Sequence, residues 1–433
     1  MKFVQRLQAC TISAGLALAV AMPTYAAPAA DAAPAGAAPL ADGATPTVAP
    51  VAQPLRKPWY QRISLHGYTQ LRYNQLPTLR FNDDFINDQG DKSVGPTGGF
   101  FFRRARLILS GAVHPRVHIY LQPDLASAIS DQLNVTILRD WFADVWLDDA
   151  GAFRVRAGQS KVPYGFENMQ SSQNRLALDR NDALNSAVKD ERDIGLFFYW
   201  APPYIRERFR MLVTKNLKGS GDYGVFALGL YNGQTANRRE LTKAPHVVAR
   251  VTWPFEVGGQ TIETSLGGYA GTFEVATAAQ KDGTTYRVDS DDGELRDARA
   301  HATFVLYPRP FGIQAEYTIG KGPQQGRDAA TQTTIASRRL QGGYVTATVA
   351  LKGPFGTEAL LPFVRATTYD GGKKFMTNAP YYRIRELELG AEWQIWKALE
   401  LVLAYDIATR TSDKYPYRIE SGHVGRAQLQ FSY

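Results

Sequence analysis

Cysteine is almost missing from the 433 residues: Cys10 is the only one, and it lies inside a segment laid out like an export signal. A disulfide framework and a thiolate metal centre are therefore excluded for the exported chain, and stability has to come from packing and backbone pairing. Long apolar runs are missing too. The stretch from Ala9 to Met22 is broken by Cys10, Thr11 and Ser13 and is too short for a membrane-spanning helix, which needs about 20 apolar residues. Histidine is scarce, and none of His66, His114, His118, His246, His301 and His423 stands in a nucleophile motif or a metal-ligand spacing such as H-E-x-x-H. No enzymatic activity, cofactor or metal is expected on these grounds. The acid-rich stretches Asn82 to Asp91 and Asp289 to Asp297 miss the calcium-loop register and read as solvated charge. Nor is one sign of charge in large excess. Without Lys2 and Arg6, 47 basic residues face 41 acidic ones, a net +6 that suggests no nucleic-acid partner.

What is present has a clear order along the chain. Residues 1–26 have the parts of a cleaved secretory signal: Lys2 and Arg6, an apolar stretch, and the small-residue site Thr24-Tyr25-Ala26. Residues 27–57 are almost wholly Ala, Pro, Gly and small polar residues, a composition that buries no core and reads as an extended periplasmic spacer. From 58 to 433 the dominant signal is period two in short segments. Ala105, Leu107 and Leu109 alternate with Arg104, Arg106 and Ile108, and Leu401, Leu403, Tyr405 and Ile407 alternate with Glu400 and Asp406. Mean hydropathy is only −0.28, as expected if alternate residues alone meet lipid.

About sixteen such segments can be counted, an even number, separated alternately by long polar stretches and mostly short turns. The fold expected is all-β: a transmembrane antiparallel β-barrel with long extracellular loops. A sandwich is disfavoured by length, and a propeller by the lack of a blade repeat of about 40 to 50 residues. Residues 203–222, with Phe209, Met211 and Val213 in alternation, are left as a long turn, because a further strand would make the count odd. Segments 194–200 and 225–231 are apolar on both faces, which suits a subunit interface or a place beneath a folded-in loop. Tyr73, Phe101, Trp141, Trp253, Trp393 and Trp396 suit interfacial girdles. The chain ends in Ala427, Leu429, Phe431 and Tyr433 at period two, and the aromatic ending, Phe431 and Tyr433, looks like the signal read by the barrel-assembly machinery of a Gram-negative outer membrane.

The stretch GQSKVPYGFE, Gly158 to Glu167, followed by RDIG at Arg192 to Gly195, resembles the phosphate-selective porin O and P family. Arg103-Arg104-Ala105-Arg106-Leu107, Asp140, Ala315-Glu316-Tyr317 and the aromatic C-terminus add to it, over roughly residues 60–433. The resemblance implies a trimer of sixteen-stranded channels whose third long loop, here Lys161 to Glu191, folds inward. It also implies basic pore residues that bind small anionic solutes such as phosphate.

With the apolar faces turned to outer-membrane lipid, the expected pore-lining and anion-binding residues are Arg72, Arg104, Arg106, Arg154, Arg156, Arg250, Arg299, Arg365 and Arg426, joined by Lys161, Arg175 and Arg180 from the loop. Asp124, Asp140 and Asp144 would also face inward, as would Glu386, Glu388, Glu392, Glu400 and Asp406. Closing the barrel would set Arg426 beside Arg72, Arg104 and Arg106. Guanidinium groups stay charged and offer a planar fork to oxyanions. A channel for passive diffusion is the function expected, with anion preference or phosphate selectivity. The alternatives are an unselective pore and a surface adhesin or receptor.

Overall fold

In a computed structural model, the described residues are 58–433 apart from 76–98, 130–131, 190–191, 282, 327–330 and 413–417. The signal, the spacer and the segment Asn82 to Asp91 lie outside them. Sixteen long strands follow a short 3-10 turn at Trp59–Arg62. They are β1 Ile63–Gln75, β2 Gly99–His114, β3 Val117–Ile129, β4 Gln132–Trp146, β5 Phe153–Lys161, β6 Arg192–Trp200, β7 Phe226–Tyr231 and β8 His246–Val257. The second half comprises β9 Gln260–Glu274, β10 Glu294–Leu306, β11 Phe311–Gln325, β12 Gln332–Val349, β13 Ala359–Gly372, β14 Tyr381–Trp396, β15 Leu399–Ser412 and β16 Arg418–Ser432.

Each strand pairs antiparallel with the next, and β1 pairs with β16 from Tyr68↔Ser432 to Gln75↔Gly425, so the sheet closes and no edge is left. All sixteen segments read from period two become wall strands. Several run further than that periodicity reaches. β11 and β12 extend to Gln325 and from Gln332, because strand pairing continues beyond the lipid band, where polar side chains on the outer face cost nothing.

Burial follows the pleat. Along β15, Val402, Ala404, Asp406, Ala408 and Arg410 are buried, whereas Leu403, Tyr405 and Ile407 face outward and are exposed. Register shifts interrupt the pairing at several points, and two of these β-bulges accommodate an extra arginine. Gln70 opposes Arg104 while Leu71 opposes Phe102, leaving Arg103 as the extra residue; Gln122 opposes Asp140 while Pro123 opposes Leu138, leaving Arg139. Both extra arginines turn inward beside the residue that the pleat already places there.

Residues 203–222 are not a wall strand, in agreement with the parity argument, but they are not an irregular turn either. Pro203–Thr214 is a helix, α1, begun by a proline in its first turn, where the missing N–H costs nothing. Ile205, Phe209, Leu212 and Val213 are its buried apolar residues, at i, i+4, i+7 and i+8. Of the apparent alternation, Phe209 and Val213 lie on this helical stripe, four residues apart, whereas Met211 lies off it, half-buried at the margin of the cluster. The stripe packs with Phe166, Ala201, Leu217, Val225, Val305 and Tyr307, so this connection lies against the inner wall.

Candidate functional site in the barrel lumen

The loop from Val162 to Lys189 is buried along nearly its whole length, inside the barrel. Its departure is set by Pro163: Tyr164 N donates to Val162 O at 2.8 Å, a three-residue turn at the end of β5. Gly165 follows with φ +72, and a Cβ there would lie 2.7 Å from Glu316 Oε1. Only glycine satisfies both the dihedral and the space. Glu316, on β11, accepts the N–H groups of Phe166 at 2.5 Å and Glu167 at 3.2 Å. Glu167 in turn takes both Nη atoms of Arg365 on β13, at 2.6 and 3.2 Å, and accepts Asn181 N and Nδ2 at 3.0 and 2.7 Å.

The loop is held on the opposite side as well. Tyr68 OH meets Ser172 Oγ at 2.6 Å, and Arg72 donates to Leu178 O at 3.1 Å and to Asp179 at 2.9 Å. Asp179 also pairs with Arg103 at 3.1 Å and Arg426 at 2.8 Å. The inward placement expected from the resemblance is thus observed, with its contacts shared between the β1–β2–β16 wall and the β10–β13 wall. Phe197, Tyr199, Ala227 and Tyr231 pack against Val162, Tyr164, Met169 and Leu184. Of the two explanations for the all-apolar segments, they lie beneath the folded loop.

Every expected pore-lining residue is buried inside the barrel, and most engage a carboxylate rather than open lumen. Arg106 pairs with Asp124 at 2.9 Å, Arg156 with both oxygens of Asp144 at 2.8 and 2.9 Å, Arg154 with Asp144 at 3.4 Å, and Arg250 with Glu263 at 3.1 Å. Arg299 pairs with Asp297 at 3.1 Å and Arg426 with Asp406. Lys161 donates to Met169 O and Gln170 O at 3.0 and 2.9 Å, and Arg180 to Glu167 O and Gln170 O at 3.3 Å each. Arg175 is buried within the loop.

Arg104 differs. Its Nη1 donates to Gln70 Oε1 at 2.7 Å, no carboxylate among the described residues pairs with it, and Arg103, Arg106 and Arg175 all act on it as like charges. The predicted grouping at the closure seam is present in this form: Arg72 and Arg426 share Asp179, while Arg104 and Arg106, both on β2, stand one strand from Arg72 and two from Arg426.

Sequence reasoning missed several cations. Arg103 and Arg139 were hidden by bulges, which a strict period of two cannot reveal. Arg192, Lys373 and Lys374 were also missed: Arg192 pairs with Asp140 at 2.8 Å, Lys373 with Asp182 at 2.9 Å and Lys374 with Asp297 at 2.5 Å. Arg192 carried a signal, since it opens RDIG and is the register partner of Lys161. Lys161, Arg106, Arg156 and Arg192 line one cleft together with Tyr120, Gln122, Asp140 and Ser171.

Among the described residues, Glu386, Glu388 and Asp406 bring carboxylate oxygens within 4.8 Å of one another. Arg410 stands 3.5 Å from Glu386, and Arg426 pairs with Asp406 and lies 3.9 Å from Glu388. Guanidinium groups already supply the compensating charge that a metal ion would bring.

Comparison with known proteins agrees with this geometry. The sequence profile described as phosphate-selective porin O and P matches residues 78–433. The chain belongs to this family. Comparison with curated proteins gives no match. Among solved structures, the outer-membrane channel DcaP of Acinetobacter baumannii is 11% identical with a TM-score of 0.53, covering 86% of this chain and 97% of that one. Salmonella typhi OmpF, solved with daunomycin, is 12% identical at 0.52, with coverage of 86% and 97%. The anion-selective porin from Comamonas acidovorans is 10% identical at 0.51, with coverage of 86% and 99%. At these identities the likeness is one of fold. Family and fold together make the chain an outer-membrane porin, a channel.

Proposed function

We propose that this porin conducts small hydrophilic solutes passively, prefers anions, and takes phosphate-type oxyanions among them. The observation that carries the preference is the charge balance of the interior: among the described buried residues, nineteen are Arg or Lys and fourteen are Asp or Glu. Fixed charge of one sign in a confined channel concentrates counter-ions, and salt weakens the effect. The excess is greatest near Arg104, where guanidinium groups gather without a carboxylate on Arg104 itself. Arginine is suited to the task because its fork matches two oxyanion oxygens and its charge persists at any pH the outer membrane meets. Family and fold support transport rather than hydrolysis as the reading adopted. The porin works as a homotrimer after cleavage of residues 1–26, with residues 27–57 as a periplasmic spacer and Phe431 and Tyr433 as the assembly signal.

A planar-bilayer recording in a KCl gradient tests the proposal. The reversal potential should have the sign of chloride preference, strengthen in dilute salt, and be accompanied by a fall in chloride current when phosphate is added. A cation-selective reversal potential would overturn it, and chloride preference without block by phosphate would reduce it to general anion diffusion.

A further inference from the structure

The outer surface carries a feature that conduction does not use. Arg296 on β10, Lys321 on β11 and Arg339 on β12 all point outward and are exposed. Register sets Lys321 directly opposite Arg339 on one side and opposite Ala298, two residues from Arg296, on the other. Like charges opposed across an antiparallel pair repel. Among the described residues none of the three has a carboxylate partner. Four residues nearer the periplasmic end, about 13 Å along the strands, the same face is hollowed into a groove of about 820 Å³. Its outward-facing lining is mostly apolar and includes Ala302, Phe304, Ala315, Tyr317, Val345 and Leu387. Arg385 also borders it, exposed and outward, with Nη1 donating only to neutral oxygens, Thr368 Oγ1 at 2.6 Å and Ile384 O at 2.8 Å. A guanidinium on the lipid-facing wall is unfavourable unless an anion meets it.

We propose that the outward face of β10–β14 binds a lipid A-type glycolipid of the outer leaflet, its phosphates on Arg296, Lys321 and Arg339 and an acyl chain in the groove beside Arg385. Position and charge together select this occupant. The cations lie toward the ends of β10 and β11 that carry the longer connections, and β12 brings Arg339 to the same level through its pairing with Lys321; this is the extracellular side of a porin, where the outer-leaflet lipid sits. Three to four cations set against an apolar groove match a headgroup with two phosphates and several chains, whereas a phosphodiester lipid brings a single charge. A second copy of the chain would have to offer an anionic ridge to the same cations.

The test uses the full-length porin folded in detergent, examined by native mass spectrometry during titration with bisphosphorylated lipid A, dephosphorylated lipid A and phosphatidylglycerol. Wild-type protein should retain bisphosphorylated lipid A at least tenfold more tightly than either other lipid. The K321E/R339E double variant should lose at least tenfold of that affinity, and K321Q/R339Q part of it, with normal heat-modifiable mobility on gels showing that each is folded. Equal retention of phosphatidylglycerol, or unchanged lipid A binding by a folded variant of either kind, would overturn the proposal. So would efficient disulfide cross-linking of Ala366→Cys between copies in native membranes, since that would place another protomer on the face.

Discussion

Replacing Arg104 by glutamate is the perturbation whose outcome is most tightly set by this structure. The change moves the local charge by two units at a side chain whose only hydrogen-bond acceptor among the described residues is the amide oxygen of Gln70. In the neighbouring position the same substitution is a different experiment, because a glutamate at Arg106 would face Asp124 across a contact that is now 2.9 Å and would disturb folding. For an ion passing about 10 Å from Arg104 through water-like surroundings, two charge units shift its energy by about 0.8 kcal/mol. Anions are raised and cations lowered by that amount, so the ratio of their permeabilities should move by roughly 1.6 kcal/mol, a little over tenfold at low salt. A lower effective dielectric would enlarge the change, and 1 M salt, with a Debye length of about 3 Å, should largely abolish it.

The assay is the reversal potential of single channels in a KCl gradient at two ionic strengths, with heat-modifiable gel mobility as the control for folding. Arg104→Glu should shift the potential toward cations in dilute salt and much less in concentrated salt. A folded Arg104→Glu channel with the wild-type potential at low salt would refute the reasoning, since it would mean that permeating ions do not sense this charge.

Glu167→Gln removes the carboxylate that takes both Nη atoms of Arg365 and the Asn181 amide, and breaking a buried pair of this kind costs about 3–5 kcal/mol; the loop should loosen, with higher and noisier conductance in bilayer recordings. Phe209→Ala empties the centre of the α1 cluster and should cost about 3–5 kcal/mol, read as a lower thermal midpoint of the folded band. Unaltered stability there would show that the helix only rests on the barrel. Replacing Phe431 and Tyr433 with serine should leave unassembled protein in the periplasm, measured by fractionation. Tyr433 exchanges backbone hydrogen bonds with Gly67 at 2.7 and 3.0 Å, so normal assembly of the double variant would assign closure to the backbone alone.

The wall was legible because period two is a property of the backbone: once Leu401, Leu403, Tyr405 and Ile407 face lipid, Glu400 and Asp406 can only face inward. The inward arginines followed from the same rule. What the rule could not give was their partners, because Asp179 and Glu167 lie on the loop and meet Arg72, Arg426 and Arg365 only after a long excursion of the chain. Nor could it find Arg103 and Arg139, since a bulge shifts the phase by one residue and leaves no mark in hydrophobicity. In α1 the helical stripe was concealed because Phe209 and Val213, four residues apart, fit either period, and Met211 between them completes an alternation over a short window.

Lys161 and Arg192 end β5 and begin β6 on the same rung of the sheet, so the chain leaves the wall and returns to it at one point. The loop between them is therefore an insertion that asks nothing of the strands' register, and its path can be settled by a few contacts inside the barrel. Ion pairs are prominent among those contacts. Glu316 and Arg365 hold its first turn from β11 and β13, and Asp179 is held by Arg72, Arg103 and Arg426 from β1, β2 and β16. Each pair that fixes the loop also removes a charge from the reach of a passing ion. On the proposed function, the cations left to act on solutes are those the loop does not need, and Arg104, beside three other arginines and bonded to a neutral amide, is the clearest of them. Selectivity should accordingly follow substitutions at Arg104, whereas substitutions at Arg365 or Arg72 should act on the width and steadiness of the channel.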